Sequence, residues 1–215
     1  MLDLTPDELL STTRSVRKRL DLQRAVPPEA IRECIEIALQ APTGSNAQGW
    51  HWVVVDDPDL KAGLADLYAR HFDPYMAMGR ELQLWPDDDV RTVHKEAVSG
   101  SAQYLRDHFH EVPTLVVPCI EGRLPEASDS FTQASFWGSL LPAVWSFMLA
   151  LRARGLGSAW TTLHLPSERE AAELLGIPFE RVTQAGLFPV AYTLGTDFKA
   201  ASRVDAAELT HWNGW

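Results

Sequence analysis

The pattern of apolar and polar positions alternates between helix-like and strand-like segments. Apolar residues repeat at the i, i+3, i+4, i+7 spacing of one helix face between Pro27 and Pro42, and a second such pattern opens at Asp57-Pro58. The connections between the segments are irregular, which favours an α+β fold over a doubly wound sheet. Three apolar runs predict buried strands: residues 51–55, 114–120 and 182–193.

The segment 131–152 is apolar nearly all round. A helix of this kind has to be covered on more than one side, by its own core and by a partner. Pro142 predicts a bend or a break in it. Its most apolar part, 140–151, is shorter than the roughly 20 residues that span a bilayer, and the first 20 residues lack the apolar centre of a signal peptide. We therefore expect a cytoplasmic protein.

Residues 73–97 are the least regular part of the chain. They combine large apolar side chains with Pro86 and the acidic run 87–89. Two interpretations stay open: a lid or wall of a substrate pocket, and a helical hairpin packed on the surface. The apolar side chains are Tyr75, Met76, Met78, Leu82, Leu84 and Trp85.

Composition and charge narrow the class of protein. With 215 residues, 46% of them apolar, the chain can form one sizeable core, so we expect a single domain over 1–215 with a C-terminal arm at 196–215. The net charge of −10 argues against nucleic acid or an anionic membrane as the main partner and favours a small molecule. Cys34 and Cys119 are expected to be small buried side chains, and we expect no metal site, because no Cys/His cluster of metal-ligand spacing occurs.

Basic residues crowd into the segment 12–19 of this otherwise acidic chain. Arg14, Arg17, Lys18 and Arg19 fall within six positions, and Ser15 lies among them. The guanidinium group of an arginine can donate two parallel hydrogen bonds to phosphate oxygens, and a serine hydroxyl can donate a further one. The cluster thus predicts a phosphate site, with a solvated basic helix face as the alternative.

A second polar segment, APTGSNAQGW at 41–50, lies between a predicted helix and a predicted strand. Gly44 permits close backbone approach, and the neighbouring hydroxyl and amide side chains offer varied donors and acceptors. Such a segment can hold a polar ring edge or a ribityl chain. The alternative is an ordinary turn.

Side chains for covalent or acid–base catalysis are not indicated. The segment 155–164, GLGSAWTTLH, lacks the third glycine of a dinucleotide fingerprint, and neither a P-loop nor a G-x-S-x-G motif occurs. The seven histidines are scattered. A chain with anion-binding groups and no evident catalytic side chain is typical of an enzyme whose cofactor supplies the reactivity.

Taken in order, these segments resemble the nitroreductase family of flavoproteins. Its opening R-R-S-[VI]-R motif is matched by residues 13–17, and its A-P-S-x-x-N-x-Q-P-W motif by residues 41–50. A late G-L-G segment is matched by 155–163, and a terminal basic residue by Arg203. The chain departs from the family at Thr13, Gly49 and Ala201, where an arginine, a proline and a lysine are usual.

The resemblance implies an α+β fold with a central, mostly antiparallel sheet flanked by helices, in an entwined homodimer that holds FMN between its subunits. Residues that would hold the FMN phosphate and ribityl chain are Arg14, Ser15, Arg17 and Arg203. Residues that would reach the flavin of the partner subunit are Pro42, Thr43, Gly44, Ser45 and Asn46. Residues that would lie along the isoalloxazine, with a backbone N–H of Thr162 or Leu163 facing N5, are Trp160, Thr161, Thr162 and Leu163.

The activity that the resemblance implies is two-step hydride chemistry. NADPH or NADH would reduce FMN, and a nitroaromatic, a quinone or a related small molecule would then take the electrons. Two alternatives stay open: a specialised flavin-dependent dehydrogenase or flavin-fragmenting enzyme on the same fold, and a non-catalytic flavin-sequestering protein.

Overall fold

A computed structural model describes residues 1–81 and 85–215, and its centre is an open antiparallel sheet. Strand order is β1-β2-β5-β3, and β4 pairs with β2 beyond the end of β5. The mostly antiparallel sheet expected from the sequence is confirmed. The strands are β1 (Trp50–Val55), β2 (Thr114–Glu121), β3 (Leu156–Ser158), β4 (Val182–Gln184) and β5 (Phe188–Tyr192).

Helices cover both faces of this sheet. Side chains at 115, 117 and 119 in β2 point to one face, and those at 116 and 120 point to the other. The first face packs against α3, α4 and α7, and the second against α2 and α6. The helices are α1 (Pro6–Thr12), α2 (Pro28–Ala38), α3 (Pro58–Glu81), α4 (Lys95–His108), α5 (Ser130–Gly138), α6 (Leu141–Ala153) and α7 (Glu168–Leu175).

The long apolar segment forms two helices, as Pro142 predicts. Ser139 and Leu140 separate α5 from α6, and Pro142 occupies the first turn of α6, where its missing N–H costs nothing. By length and composition alone, Ser130–Ala153 is the one candidate membrane span within the described residues. However, Phe147 and Leu151 of α6 are completely buried in the core between α2 and the sheet. We therefore interpret α6 as a core helix.

The last predicted strand is two strands, so the single run 182–193 is wrong. The Ala185 amide still donates to the Pro118 carbonyl of β2 at 2.9 Å, but residues 186 and 187 leave the ladder and lie against the segment after β3. The Leu187 amide donates to the Thr161 carbonyl at 2.8 Å, and the Trp160 indole donates to the Ala185 carbonyl at 3.2 Å. A Cβ on Gly186 would lie 2.8 Å from the Trp160 Nε1 atom, so only glycine allows this approach.

Residues 73–97 are more regular than the sequence indicates. Helix α3 continues through Pro74 to Glu81, turns occupy much of 87–94, and α4 begins at Lys95. The Tyr68 ring packs 4.6 Å from the Phe109 ring, which joins α3 to the turn after α4. Both rings lie outside 73–97, so the helical hairpin packed on the surface stays a prediction. Leu82 and Leu84 lie outside the described residues, and movement of the segment as a lid stays a prediction.

The basic segment is not a helix, so the alternative of a solvated basic helix face is wrong. Residues 14–16 run extended beside β3, where the Val16 amide donates to the Ser158 carbonyl at 2.8 Å. A Cβ on Gly157 would lie 2.9 Å from the Val16 Cβ and 2.7 Å from the Thr193 methyl. The absence of a side chain at Gly157 therefore lets the basic segment lie directly against the sheet.

Gly157→Ala should destabilise the fold and displace the basic segment. We expect the free energy of unfolding to fall by about 1–3 kcal/mol, the usual cost of overpacking. Urea denaturation measures it. Gly138→Ala is the control, because nothing lies within 4 Å of a Cβ there and alanine favours the helix. Equal stability of the two variants would contradict the close approach.

Candidate functional site

Four residues from opposite ends of the chain line one cavity of about 590 Å³. They are Arg14, Ser15 and Arg17 of the basic segment and Arg203 of the C-terminal arm. Among the described residues that line this cavity, which we call the cationic cavity, there is no aspartate or glutamate. Such a donor set fits a phosphate group. The structure thus brings together the four side chains that the resemblance assigns to a phosphate.

The arm is tied to the body of the protein just before it reaches this cavity. The Arg14 guanidinium donates to the Lys199 carbonyl at 2.9 Å, and the Phe198 ring lies between Arg19 at 4.3 Å and Arg152 at 4.9 Å. Arg152 is only 5% exposed and donates to the Thr196 carbonyl at 3.0 Å. These contacts hold Arg203 opposite the basic segment.

Arg17 also lines a second cavity, of about 400 Å³, which we call the aromatic cavity. Its guanidinium donates to the Ser101 hydroxyl of α4 at 3.3 Å. Burial lowers the pKa of Arg17, and the nearby Tyr68 and Tyr75 partly oppose that shift. A guanidinium nevertheless keeps its charge at physiological pH. One half-buried cation therefore connects the two cavities.

The segment 160–163 forms one wall of the aromatic cavity. Trp160 and Thr161 are fixed by their side chains, because the Thr161 hydroxyl donates to the Leu187 carbonyl and the Trp160 indole to Ala185. The backbone N–H groups of Thr162 and Leu163 have no acceptor among the residues described. They can therefore donate to a ligand in the cavity, as the resemblance implies.

His164, directly after this wall, is completely buried. Neither ring nitrogen has a hydrogen-bond partner in the described part of the chain. Burial lowers the pKa of His164 from 6.5 to about 4, against weaker opposing effects of Gln184 and Glu168. The imidazole is thus neutral at physiological pH, and it packs in the protein interior next to the segment 160–163.

The predicted segment Pro42, Thr43, Gly44, Ser45 and Asn46 lies elsewhere and lines neither cavity. Its residues are largely exposed, and Ser45 and Asn46 adopt positive φ angles of 52° and 54°. The Gly44 amide donates to the Ser139 hydroxyl at 3.0 Å, which ties the segment to the end of α5. Its contact with a flavin of the partner subunit stays a prediction.

The structure adds three basic residues that sequence reasoning did not select. Arg91, His94 and Lys95 line the aromatic cavity, and the first two also line the cationic cavity. A sequence signal existed only for Lys95, because Lys95, Ser99 and Ala102 follow the i, i+4, i+7 spacing of one helix face. The side chains on that face are small or polar, so the sequence alone does not distinguish it from an ordinary exposed helix face.

A third cavity, of about 600 Å³, lies between β1, β2 and the end of α7. None of the cofactor-binding residues predicted from the sequence lines this cavity. The His51 ring pairs with the Glu121 carboxylate at 3.2 Å on its lining, and buried Cys119 lies there too. Burial raises the pKa of the Cys119 thiol to about 12, so it is not a nucleophile at neutral pH.

Comparisons with known proteins identify the family and the fold. A family model described as Nitroreductase family matches residues 10–192. A 4-nitrobenzoate reductase from Nocardioides sp. is 26% identical, over 84% of this chain and 78% of that protein. An iodotyrosine deiodinase from Thermotoga neapolitana is 27% identical, over 86% of this chain and 87% of that protein. The crystal structure of an FMN and NADPH-dependent nitroreductase from sphigopyxis sp. strain HMH has a TM-score of 0.69 at 20% identity, covering 99% and 100% of the two chains. That likeness confirms the fold.

The buried His164 predicts a specific loss of stability in acid. Because its pKa in the folded state lies below its value of 6.5 in the unfolded state, the unfolded chain binds the proton first as the pH falls. The free energy of unfolding should therefore drop by roughly 3 kcal/mol between pH 6.5 and pH 4 from this group. His164→Gln should flatten that slope in urea titrations, whereas the exposed control His110→Gln should not. Parallel pH profiles for His164→Gln and the unaltered protein would refute the assignment.

Proposed function

Because the chain belongs to the nitroreductase family, we propose that it is an FMN-dependent oxidoreductase that uses NADPH or NADH to reduce a small nitroaromatic or quinone acceptor. The observation that carries the proposal is the cationic cavity. Arg14, Arg17 and Arg203 meet there without a carboxylate among the described lining residues. A terminal phosphate is the group that such a set binds best.

The residues present fit FMN in spite of the departures from the family motifs. Thr13 ends α1 by donating its hydroxyl to the Leu9 carbonyl, so it is not available to a phosphate. Ala201 lines the cationic cavity without offering a charge. His94, the residue before α4, lines the same cavity and can donate a hydrogen bond to a phosphate. Arg91 lines it too, but its guanidinium pairs with Asp89.

The aromatic cavity has the features needed beside an isoalloxazine ring. Trp160 and Thr161 are fixed, while the amides of Thr162 and Leu163 have no acceptor within the described residues. We assign to these two amides the polar edge of the flavin, and to Arg17 the junction between ring and ribityl chain. When bound, FMN supplies the chemistry by accepting a hydride from the nicotinamide and passing two electrons to the acceptor.

A cytoplasmic homodimer is part of the proposal. Large apolar side chains are exposed on α5 and on the C-terminal arm, where Phe131 is 79% exposed and Trp212 is 85% exposed. Exposed apolar groups of this size favour contact with another chain. The segment 42–46 is tied to the end of α5 by the Gly44–Ser139 bond, so a partner on this face would lie next to that segment. This supports its assignment to the flavin of the partner subunit.

Reductive dehalogenation is a second candidate, favoured by the deiodinase relative from Thermotoga neapolitana. The two activities share the cofactor and differ in the acceptor. Release of iodide from 3-iodotyrosine by the reduced protein, without reduction of nitroaromatic compounds, would favour this candidate.

The visible spectrum of the purified protein tests the proposed function. We expect a yellow protein that NADPH or NADH bleaches without oxygen, and whose colour returns when a nitroaromatic or quinone is added. Apoprotein that takes up no FMN would contradict the proposal. Bound FMN that neither nicotinamide reduces would instead indicate a flavin-sequestering protein.

A further inference from the structure

The aromatic cavity has an apolar wall opposite residues 160–163. Helix α3 contributes Tyr68, Phe72, Tyr75 and Met76 to it. Aromatic rings and a methionine offer flat, polarizable contact to a planar ligand. The cavity thus fits an aromatic molecule lying between this wall and the segment 160–163.

The charge of the cavity is unlike that of the rest of the chain. The protein has a net charge of −10, yet no carboxylate lines the aromatic cavity among the side chains described, those of residues 1–78 and 85–215. Its ionisable lining is instead basic or phenolic, with Arg91, His94 and Lys95 on the side of α4. A cavity lined by one sign of charge attracts ligands of the opposite sign.

Only some of these cations are available to a ligand. Arg91 is occupied, since its guanidinium pairs with Asp89 and lies 4.5 Å over the Trp85 ring. Arg17 donates to Ser101 and also lines the cationic cavity. Lys95 has no ion pair or hydrogen bond from its ammonium group to any side chain that the structure describes, in residues 1–78 and 85–215. Among the described lining side chains, Lys95 is therefore a cation that is free to pair with a ligand.

We propose that the acceptor is an aromatic compound that carries a carboxylate, with its ring against the α3 wall and its carboxylate at Lys95. This inference rests on the proposed function and names the class of acceptor. Lys95 is a specificity-determining residue in it. The anionic groups of the nicotinamide nucleotide are the other possible source of negative charge at Lys95, and the experiment separates the two.

The test compares acceptors that differ only in charge, using the FMN-loaded protein. We expect a lower KM for 4-nitrobenzoate than for 4-nitrobenzamide. Lys95→Met should raise the KM for 4-nitrobenzoate about fivefold, the upper range for an exposed ion pair, and leave that for 4-nitrobenzamide unchanged. Lys95→Glu should raise the KM for 4-nitrobenzoate further, because the attraction between the lysine and the carboxylate is replaced by repulsion between two carboxylates. Arg32→Met, which removes one exposed positive charge on α2, is the matched control.

A binding measurement without turnover completes the test. Benzoate and benzamide, which accept no electrons, are titrated into the oxidised FMN-loaded protein and followed by the flavin spectrum. Benzoate should bind more tightly, and added salt should weaken its binding but not that of benzamide. Lys95→Glu should abolish the preference.

Three results would overturn the inference. The first is equal binding of benzoate and benzamide, and the second is an equal effect of Lys95→Glu on the KM for both nitro compounds. The third is a variant that raises the KM for NADPH and leaves the KM for 4-nitrobenzoate unchanged. The last would assign Lys95 to the nucleotide. Failure of the proposed function can be distinguished from failure of this inference. If the proposed function fails, NADPH does not bleach the flavin, whereas the benzoate titration tests the inference without any turnover.

Discussion

Three guanidinium groups line one cavity, and the proposed function depends on this arrangement. Arg14, Arg17 and Arg203 come from opposite ends of the chain, and no carboxylate shares their cavity within the described residues. Arg17 is half-buried, and burial lowers its pKa, whereas Arg14 and Arg203 are exposed. Under the proposed function, a phosphate in this cavity would accept charge-assisted hydrogen bonds from all three guanidinium groups.

The scaffold imposes this arrangement through two close approaches. Gly157 lets the basic segment lie against β3, and Gly186 lets the segment 160–163 lie against the break between β4 and β5. Both segments are thereby fixed by backbone hydrogen bonds to the sheet, at Ser158 and at Leu187. Arg17 lies where they meet and lines both cavities. Under the proposed function, this sheet would position the FMN phosphate on one side of Arg17 and the isoalloxazine ring on the other.

The sequence was sufficient to predict the elements that depend only on residues near one another in the chain. Helix α2, strand β2 and the break at Pro142 follow from periodicity and from proline geometry, so the sequence predicts them. The grouping of Arg14 with Arg203 came from the family resemblance, because the 188 residues between them give no local signal for it. The split of the last strand depends on contacts with Trp160 and Thr161, which no property of residues 182–193 reveals. The role of Lys95 likewise depends on how α4 packs beside α3.

The ratio of the affinities for FMN and riboflavin tests the central claim most directly, since the two ligands differ only in the phosphate. Fluorescence titration of the apoprotein measures both. The account predicts that FMN binds at least about tenfold more tightly, and that Arg17→Ala weakens FMN by roughly 1.5–3 kcal/mol, the scale of a charge-assisted hydrogen bond, with a smaller effect on riboflavin. Equal affinities for the two ligands in the unaltered protein would contradict it.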